Sequence, residues 1–276
     1  MPAAPDLPIL PAVDYLRARI PFTPSVVLVL GSGLSGVADR CATNLMVDHG
    51  EIPGFPRCSV AGHTGRLVIG TWRGVQLAIL QGRAHRYEGH TLEAITRPVR
   101  TLAALGARIL ITTCAAGALN EAVPGTVFLI DDHLNLMADS PLLGMTDVLA
   151  GSSRFLEMAE AYDGELRVIA AEAAREARVG FQHGVMACVP GPAYETAAEA
   201  EMLRRFGAQA VNMSVVPEVI AAKACGQRVL GLGILTNRAG SPLGTARGHD
   251  EVIAVAERSS EAMAAVLDGV FKRLSA

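Results

Sequence analysis

The chain has 276 residues, half of them hydrophobic and only 18% charged, with a mean hydropathy of +0.33. It must bury many apolar faces, within one subunit or between subunits. A net charge of −3 leaves no basic stripe for nucleic acid or an anionic membrane, and no apolar run approaches the roughly 20 residues that span a bilayer.

The Pro-rich start, Met1 to Pro11, lacks the basic-then-apolar order of a signal peptide. Residues 1–10 are expected to form a flexible or loosely packed segment. Cys41, Cys58, Cys114, Cys188 and Cys225 are scattered, with no Cys-x-x-Cys pair, which reads as reduced thiols of a soluble, cytoplasmic protein. The seven histidines show no His-x-x-x-His spacing, so no metal site is expected.

The elements follow in chain order. Asp6 to Ile20 reads as a short amphipathic helix closed by Pro21. Ser25 to Leu30 is a continuous aliphatic run, expected as a strand buried on both faces. Arg66–Thr71 and Val75–Gln81 read as strands split by a turn at Trp72-Arg73-Gly74, and Leu92 to Leu105 as a helix ending at Gly106.

Arg108–Thr113 and Val127–Asp131 are expected as buried strands. Ser153 to Val179 is expected to be helical with a break at Asp163-Gly164. Val185–Val189 reads as a strand, Thr196–Phe206 as a helix and Ala210–Met213 as a short strand. Pro217–Cys225 reads as a helix with proline in its first position, Arg228–Leu235 as a strand, and His249–Leu274 as a final helix. Strands alternate with helices without linker, repeat or low-complexity segment. That order predicts one α/β domain, residues 1–276, with a largely parallel or mixed central sheet.

The first chemical signal is a strand running into Gly31-Ser32-Gly33-Leu34-Ser35-Gly36. Gly31, Gly33 and Gly36 fit a dinucleotide fingerprint, with Asp48 at a plausible distance for a ribose. Only Val37 to Cys41 remains for the helix that such a site requires. A phosphate cradle of backbone amides plus the Ser32 hydroxyl asks less of the chain, and a plain tight turn asks least.

Arg83 and His85 alternate at the end of a strand in Gln81-Gly82-Arg83-Ala84-His85-Arg86-Tyr87, so both can face one anion. His63 lies in Ala61-Gly62-His63-Thr64-Gly65, where flanking glycines allow a mobile lid.

Three further segments are specific: Cys114-Ala115-Ala116-Gly117-Ala118-Leu119-Asn120, Gly191-Pro192-Ala193-Tyr194-Glu195-Thr196, and Asn212-Met213-Ser214-Val215-Val216-Pro217-Glu218. With Leu235-Thr236-Asn237 and His249, their order resembles the trimeric purine nucleoside phosphorylases from Val27 to about Leu267. The resemblance implies a single α/β domain with a central mixed sheet flanked by helices. It also implies phosphorolysis of 6-oxopurine nucleosides such as inosine and guanosine to purine and ribose 1-phosphate, with inversion at C1′ and no cofactor besides the phosphate co-substrate.

By the same resemblance, phosphate is held by Ser32, His63, Arg83, His85, the Ala115 amide and Ser214. Ribose is held by Tyr87, Met213 and His249, and the purine by Tyr194, Glu195, Met213 and Asn237. The catalytic roles fall to Asn237, His85 and Glu195. Phe155 is the aromatic that reaches a neighbouring subunit's site in a homotrimer.

Glu195 suits the N1–H of a 6-oxopurine, and Asn237 can donate to N7 or O6. Two residues depart from the pattern. Asn212 stands where the 6-oxopurine enzymes usually have glycine, as in the sister methylthioadenosine phosphorylases, and Cys114 replaces a common asparagine. Asn237, where that branch has aspartate, and His249, a partner for a 5′-hydroxyl, favour the nucleoside branch. The alternatives are methylthioadenosine phosphorylase, an NAD-dependent oxidoreductase using the glycine loop, and a non-catalytic nucleoside-binding protein.

Overall fold

The computed structural model describes residues 9–60, 62–144, 155–241 and 248–275. Strand β1 (Val26–Leu30) is buried along its whole length. Val27 and Val29 enter one apolar layer, while Val26, Leu28 and Leu30 enter the other. That two-sided burial explains the unbroken aliphatic run, since each fully buried Val or Leu contributes about 1.5–3 kcal/mol.

Helix α1 (Leu10–Arg17) is shorter than the expected Asp6–Ile20. The first eight residues of the expected loose N-terminal segment lie outside the described residues, but Ile9 is buried in the core. After β1 the chain makes a short 3-10 helix, Ser35–Arg40, and then an edge strand, β2 (Ala42–Asp48). That strand has no counterpart among the sequence expectations, because its burial is almost wholly one of exposure and it carries no clean alternation.

Strands β3 (Arg66–Trp72) and β4 (Val75–Gln81) form the expected hairpin. Helix α2 (Leu92–Ala104) is capped by Thr91, whose hydroxyl accepts from the Ala94 N–H. Strands β5 (Ile109–Ala118) and β6 (Val127–Asn135) run longer than expected. Helix α3 covers Gly164–Glu176 only, because Asp163 caps it through the Leu166 N–H, so the described stretch before it is not helical.

Then come β7 (Phe181–Cys188), α4 (Ala197–Arg205), β8 (Ala210–Asn212), α5 (Val215–Ala224) and β9 (Arg228–Arg238). The last expected helix is two, α6 (Gly248–Arg258) and α7 (Ser260–Leu274), separated at Ser259. Helix α5 starts two residues earlier than expected, which places Pro217 third rather than first and makes Ser214 the residue that opens the helix.

The nine strands form one mixed sheet in the order β2-β3-β4-β1-β5-β8-β7-β6-β9, and β9 pairs back onto β5. Strands β5, β8, β7, β6 and β9 therefore close on themselves. The parallel pairs β4–β1–β5–β9 bring four consecutive strand ends to one side of the sheet.

Candidate active site

A concave cleft opens at these strand ends, lined by both polar and apolar groups as small-molecule sites usually are. Its lining includes Ser32 beyond β1, Arg83, His85 and Tyr87 beyond β4, Ala115–Gly117 from β5, Met213 and Ser214 beyond β8, and Asn237 of β9. Tyr194, Glu195 and His249 complete it.

The glycine loop packs closely. Gly33 is left-handed (φ +75°), and a Cβ there would lie 2.7 Å from the Cβ of Ala256 in α6. Gly36 faces open space, the following turn is 3-10, and Asp48 sits exposed on the edge strand paired with Arg66. None of these serves a dinucleotide. The Gly31 N–H is also already taken by the Thr113 hydroxyl at 3.0 Å, so the loop offers an anion Ser32 rather than Gly31.

His63 comes to the same place. Its Nδ1 accepts from the Arg83 backbone N–H at 3.3 Å, so a neutral ring carries its proton on Nε2 and donates to Ser32 Oγ at 3.0 Å. The Ser32 hydroxyl proton is thereby left for a ligand. Burial, then the neighbouring His85 and Arg83, lower the His63 pKa to about 3, which keeps the ring neutral in the empty cleft. The ring seats against Gly82, where a Cβ would approach the His63 Cβ to 2.7 Å.

His85 is buried and stacks on Tyr87, with ring centroids 4.6 Å apart and planes 13° apart. Tyr87 follows His85 by two residues, a spacing that would put both on one side of an extended chain. Instead a 3-10 turn, Arg86–Glu88, folds the chain and stacks the two rings.

Glu88, not singled out in the sequence, fixes His85. Its Oε1 accepts from both the His85 backbone N–H (2.7 Å) and Nδ1 (2.8 Å), and its Oε2 accepts from the Ser59 N–H at 2.8 Å. Burial would raise the Glu88 carboxyl, but these hydrogen bonds outweigh it and bring the pKa down to about 2. Burial lowers the His85 pKa, with Arg83 adding to the effect against the pull of Glu88. The result is a neutral imidazole with its proton on Nδ1 and a lone pair on Nε2.

Arg83 is buried behind the cleft floor, and Ser214 Oγ lies 3.5 Å from its Nη1. The ten-residue helix α5 begins just after Ser214, so its N-terminus adds a favourable end for an anion. Asn212 does not present its amide to the cleft alone. Its Nδ2 donates to Cys114 Sγ at 3.5 Å and its Oδ1 accepts from the Ser214 N–H at 3.3 Å. The two departures from the family pattern thus touch each other.

At the other end, Thr196 caps α4 with Glu199 in a reciprocal capping box, which leaves Glu195 free of that duty. Burial raises the Glu195 pKa, and the nearby Glu199 carboxylate raises it further. The Thr236 hydroxyl donates to Asn237 Oδ1 at 2.9 Å, which leaves Nδ2 available to the cleft. Gly117 pairs with Asn237 across a register shift in the β5–β9 ladder.

His249, the second residue of α6, lines the cleft with its Nε2 buried and, among the described residues, without a hydrogen-bond partner. Phe155 does not line this cleft and is 84% exposed. Of the sequence-predicted site residues, all except Phe155 and His63 line the cleft, and His63 bonds directly to a residue that does.

The phosphorylase superfamily model matches residues 25–272. The chain is 42% identical over 248 residues to purine nucleoside phosphorylase 1 of Bacillus subtilis, covering 90% of this chain and 91% of that one. It is 41% identical over 231 residues to the purine nucleoside phosphorylase of Rattus norvegicus, covering 82% and 80%. The solved structure of Schistosoma mansoni purine nucleoside phosphorylase in complex with adenosine superposes with a TM-score of 0.89 at 32% identity, covering 96% of each chain. A schistosome structure in complex with hypoxanthine superposes equally well, at 31% identity. A matched fold, relatives about 40% identical over most of the chain and a family model spanning nearly all of it agree: this chain belongs to the phosphorylase superfamily, among its purine nucleoside phosphorylases.

Proposed function

We propose that the chain catalyses the reversible phosphorolysis of purine nucleosides, giving free purine and ribose 1-phosphate with inversion at C1′. The observation that carries this reading is one cleft with an anion end, Ser32, Arg83, His85 and Ser214, and a base end, Glu195 and Asn237. The same cleft is lined by His249, whose buried Nε2 has no hydrogen-bond partner among the described residues and suits a 5′-hydroxyl. Tyr87 and Met213 flank the sugar, and Tyr194 stacks on the base.

Phosphate sits under C1′ on the donors of Ser32, Arg83, Ser214 and the Ala115 amide. The His85 Nε2 lone pair accepts the single O–H of monohydrogen phosphate, while Glu88 steadies the ring. As the glycosidic bond stretches, C1′ becomes cationic and the phosphate dianion stabilises it. Asn237 Nδ2 stabilises the charge that builds on the leaving purine. These donors act most strongly where charge develops, which lowers the barrier rather than merely binding substrate. The chain's own groups supply the electrostatics, and inorganic phosphate is the only other reactant, with no metal or organic cofactor.

Glu195 accepts from the N1–H of hypoxanthine or guanine, and adenine, lacking that hydrogen, leaves a buried carboxylate unpaired. This supports a 6-oxopurine preference. Asn237 and His249, with relatives named as purine nucleoside phosphorylases, support nucleosides over methylthioadenosine. The exposure of Phe155 is compatible with a homotrimer in which each site borrows this ring from a neighbouring copy. Five free thiols fit a reducing, cytoplasmic setting. Base release from inosine, guanosine, adenosine and methylthioadenosine, each with and without phosphate, tests the reading. Phosphate-independent release, or none, overturns it.

A further inference from the structure

Arg83 carries five N–H groups, and four are committed inside the protein. Nε donates to Glu218 Oε1 at 2.8 Å, Nη2 to Glu218 Oε2 at 3.1 Å and to Thr112 Oγ1 at 2.9 Å, and Nη1 to the Thr113 carbonyl at 2.6 Å. Only the remaining Nη1 hydrogen points towards Ser214 and the cleft. The two side chains are 4% and 3% exposed. Behind them a small cavity is walled by Val29, Leu80, Ile95 and Val99, together with His49, which burial keeps neutral with a pKa lowered to about 4. Thr112 Oγ1 also donates to Glu218 Oε2 at 2.6 Å. The guanidinium that meets the anion is therefore already paired, bidentate, with a carboxylate in an apolar wall.

We propose that Glu218 is the resident counter-ion of the phosphate site: it holds Arg83 in place while the site is empty and moderates phosphate affinity so that the sugar phosphate can leave. The inference rests on the phosphorolytic reading above. An unpaired buried guanidinium would destabilise the empty protein, and a dianion arriving beside it would be bound too strongly for fast turnover. With Glu218 present, the pair is neutral and the ligand gains one directed N–H, the Ser32 and Ser214 hydroxyls and the α5 N-terminus. Glu218 touches no reactant and acts through Arg83, as a positioning and charge-balancing residue.

The test is Glu218→Gln, which keeps the size and one acceptor but removes the charge. Wild-type protein must first show phosphate-dependent base release; if it does not, the phosphorolytic reading fails and the role of Glu218 is not what failed. With wild type active, Glu218→Gln is expected to melt lower than wild type without phosphate and to gain more from added phosphate. Its phosphate KM is expected to fall about three- to tenfold, as one removed charge interaction predicts. Its nucleoside KM stays within about twofold of wild type, and kcat falls as product release slows.

A purely structural role would lower the melting temperature without tightening phosphate. Folded Glu218→Gln with an unchanged or raised phosphate KM overturns the proposal. If the variant folds only in phosphate, the proposal is supported; failure to fold even in phosphate overturns it. Glu218→Asp keeps the charge on a shorter arm, so its phosphate KM should stay at or above wild type, and a fall there also overturns the proposal.

Discussion

Replacing Asn237 by alanine isolates the donor assigned to the leaving purine. The amide is not free to present either face: the Thr236 hydroxyl, 2.9 Å from Oδ1 and 3.2 Å from the Ala116 carbonyl, makes its shorter bond to the amide oxygen and so turns Nδ2 to the cleft. Loss of one such donor typically lowers kcat about 10²–10³-fold, or 2.7–4 kcal/mol. Asn237 is only partly buried, so the lower end, about 100-fold, is expected. Thr236→Val leaves the amide in place but removes its anchor, a loss of about 1 kcal/mol or roughly fivefold. Base release at saturating phosphate over a range of inosine concentrations separates kcat from KM. An unchanged kcat with a raised KM, or a Thr236→Val defect as deep as that of Asn237→Ala, would refute the reasoning.

Ser32→Ala removes both a ligand donor and the acceptor for His63 Nε2. Phosphate KM should rise about 10- to 100-fold, the range for a hydrogen bond to a charged group, while nucleoside KM moves far less. A larger effect on the nucleoside would remove the loop from the phosphate site. Asn212→Gly removes the acceptor that fixes the Ser214 N–H and so loosens Ser214, and phosphate KM should rise about three- to tenfold with the inosine-to-guanosine ratio unchanged. A shifted ratio would instead make Asn212 a base-reading residue.

Acid stability follows from buried neutral imidazoles. His49, 3% exposed with its pKa lowered from 6.5 to about 4, binds its proton only on unfolding, so stability is lost as pH falls from 6.5 towards 4. The size is about 3 kcal/mol by linkage, with His63 adding the same sign over its wider window. Glu88 contributes stability that is lost only lower, as pH falls from 4.5 towards about 2. Melting temperature against pH checks this, and a flat curve between about pH 7 and 4.5 contradicts it.

Buried strands were legible because two-sided burial demands unbroken aliphatic runs, as in Val26–Leu30. The edge strand Ala42–Asp48 was not, since its residues are mostly exposed and its pairing with β3 rests on backbone bonds that leave no apolar trace. The helix limits failed at Asp163, where a side-chain cap decides the start, and at Ser214, which opens α5 two residues ahead of Pro217 without a side-chain cap. The anion-end residues were recognisable because arginine, histidine and serine at strand ends carry a chemical meaning by themselves. The roles of Glu88 and Glu218 were not legible, for the opposite reason, even though Glu218 closes one of the specific segments. A carboxylate three residues from its histidine, or 135 residues from its arginine, reads as an ordinary surface acid until the fold buries both partners.

The two ends of the cleft are built differently, and the difference has a physical consequence. At the anion end, Arg83 and His85 are buried and each is pinned by a carboxylate, so little conformational entropy remains to be lost when phosphate arrives. At the proposed base end, Tyr194 is 43% exposed and Glu195 lies in a loop ahead of the Thr196 cap, so the fold holds these side chains less tightly. Substitutions at the anion end should therefore affect stability and phosphate together, because the same buried bonds serve both. Substitutions at the base end can change which purine fits without disturbing the sheet that carries it. A single scaffold can keep its phosphate chemistry fixed while its base preference varies, because the first is set by strand ends and buried charge and the second by a loop.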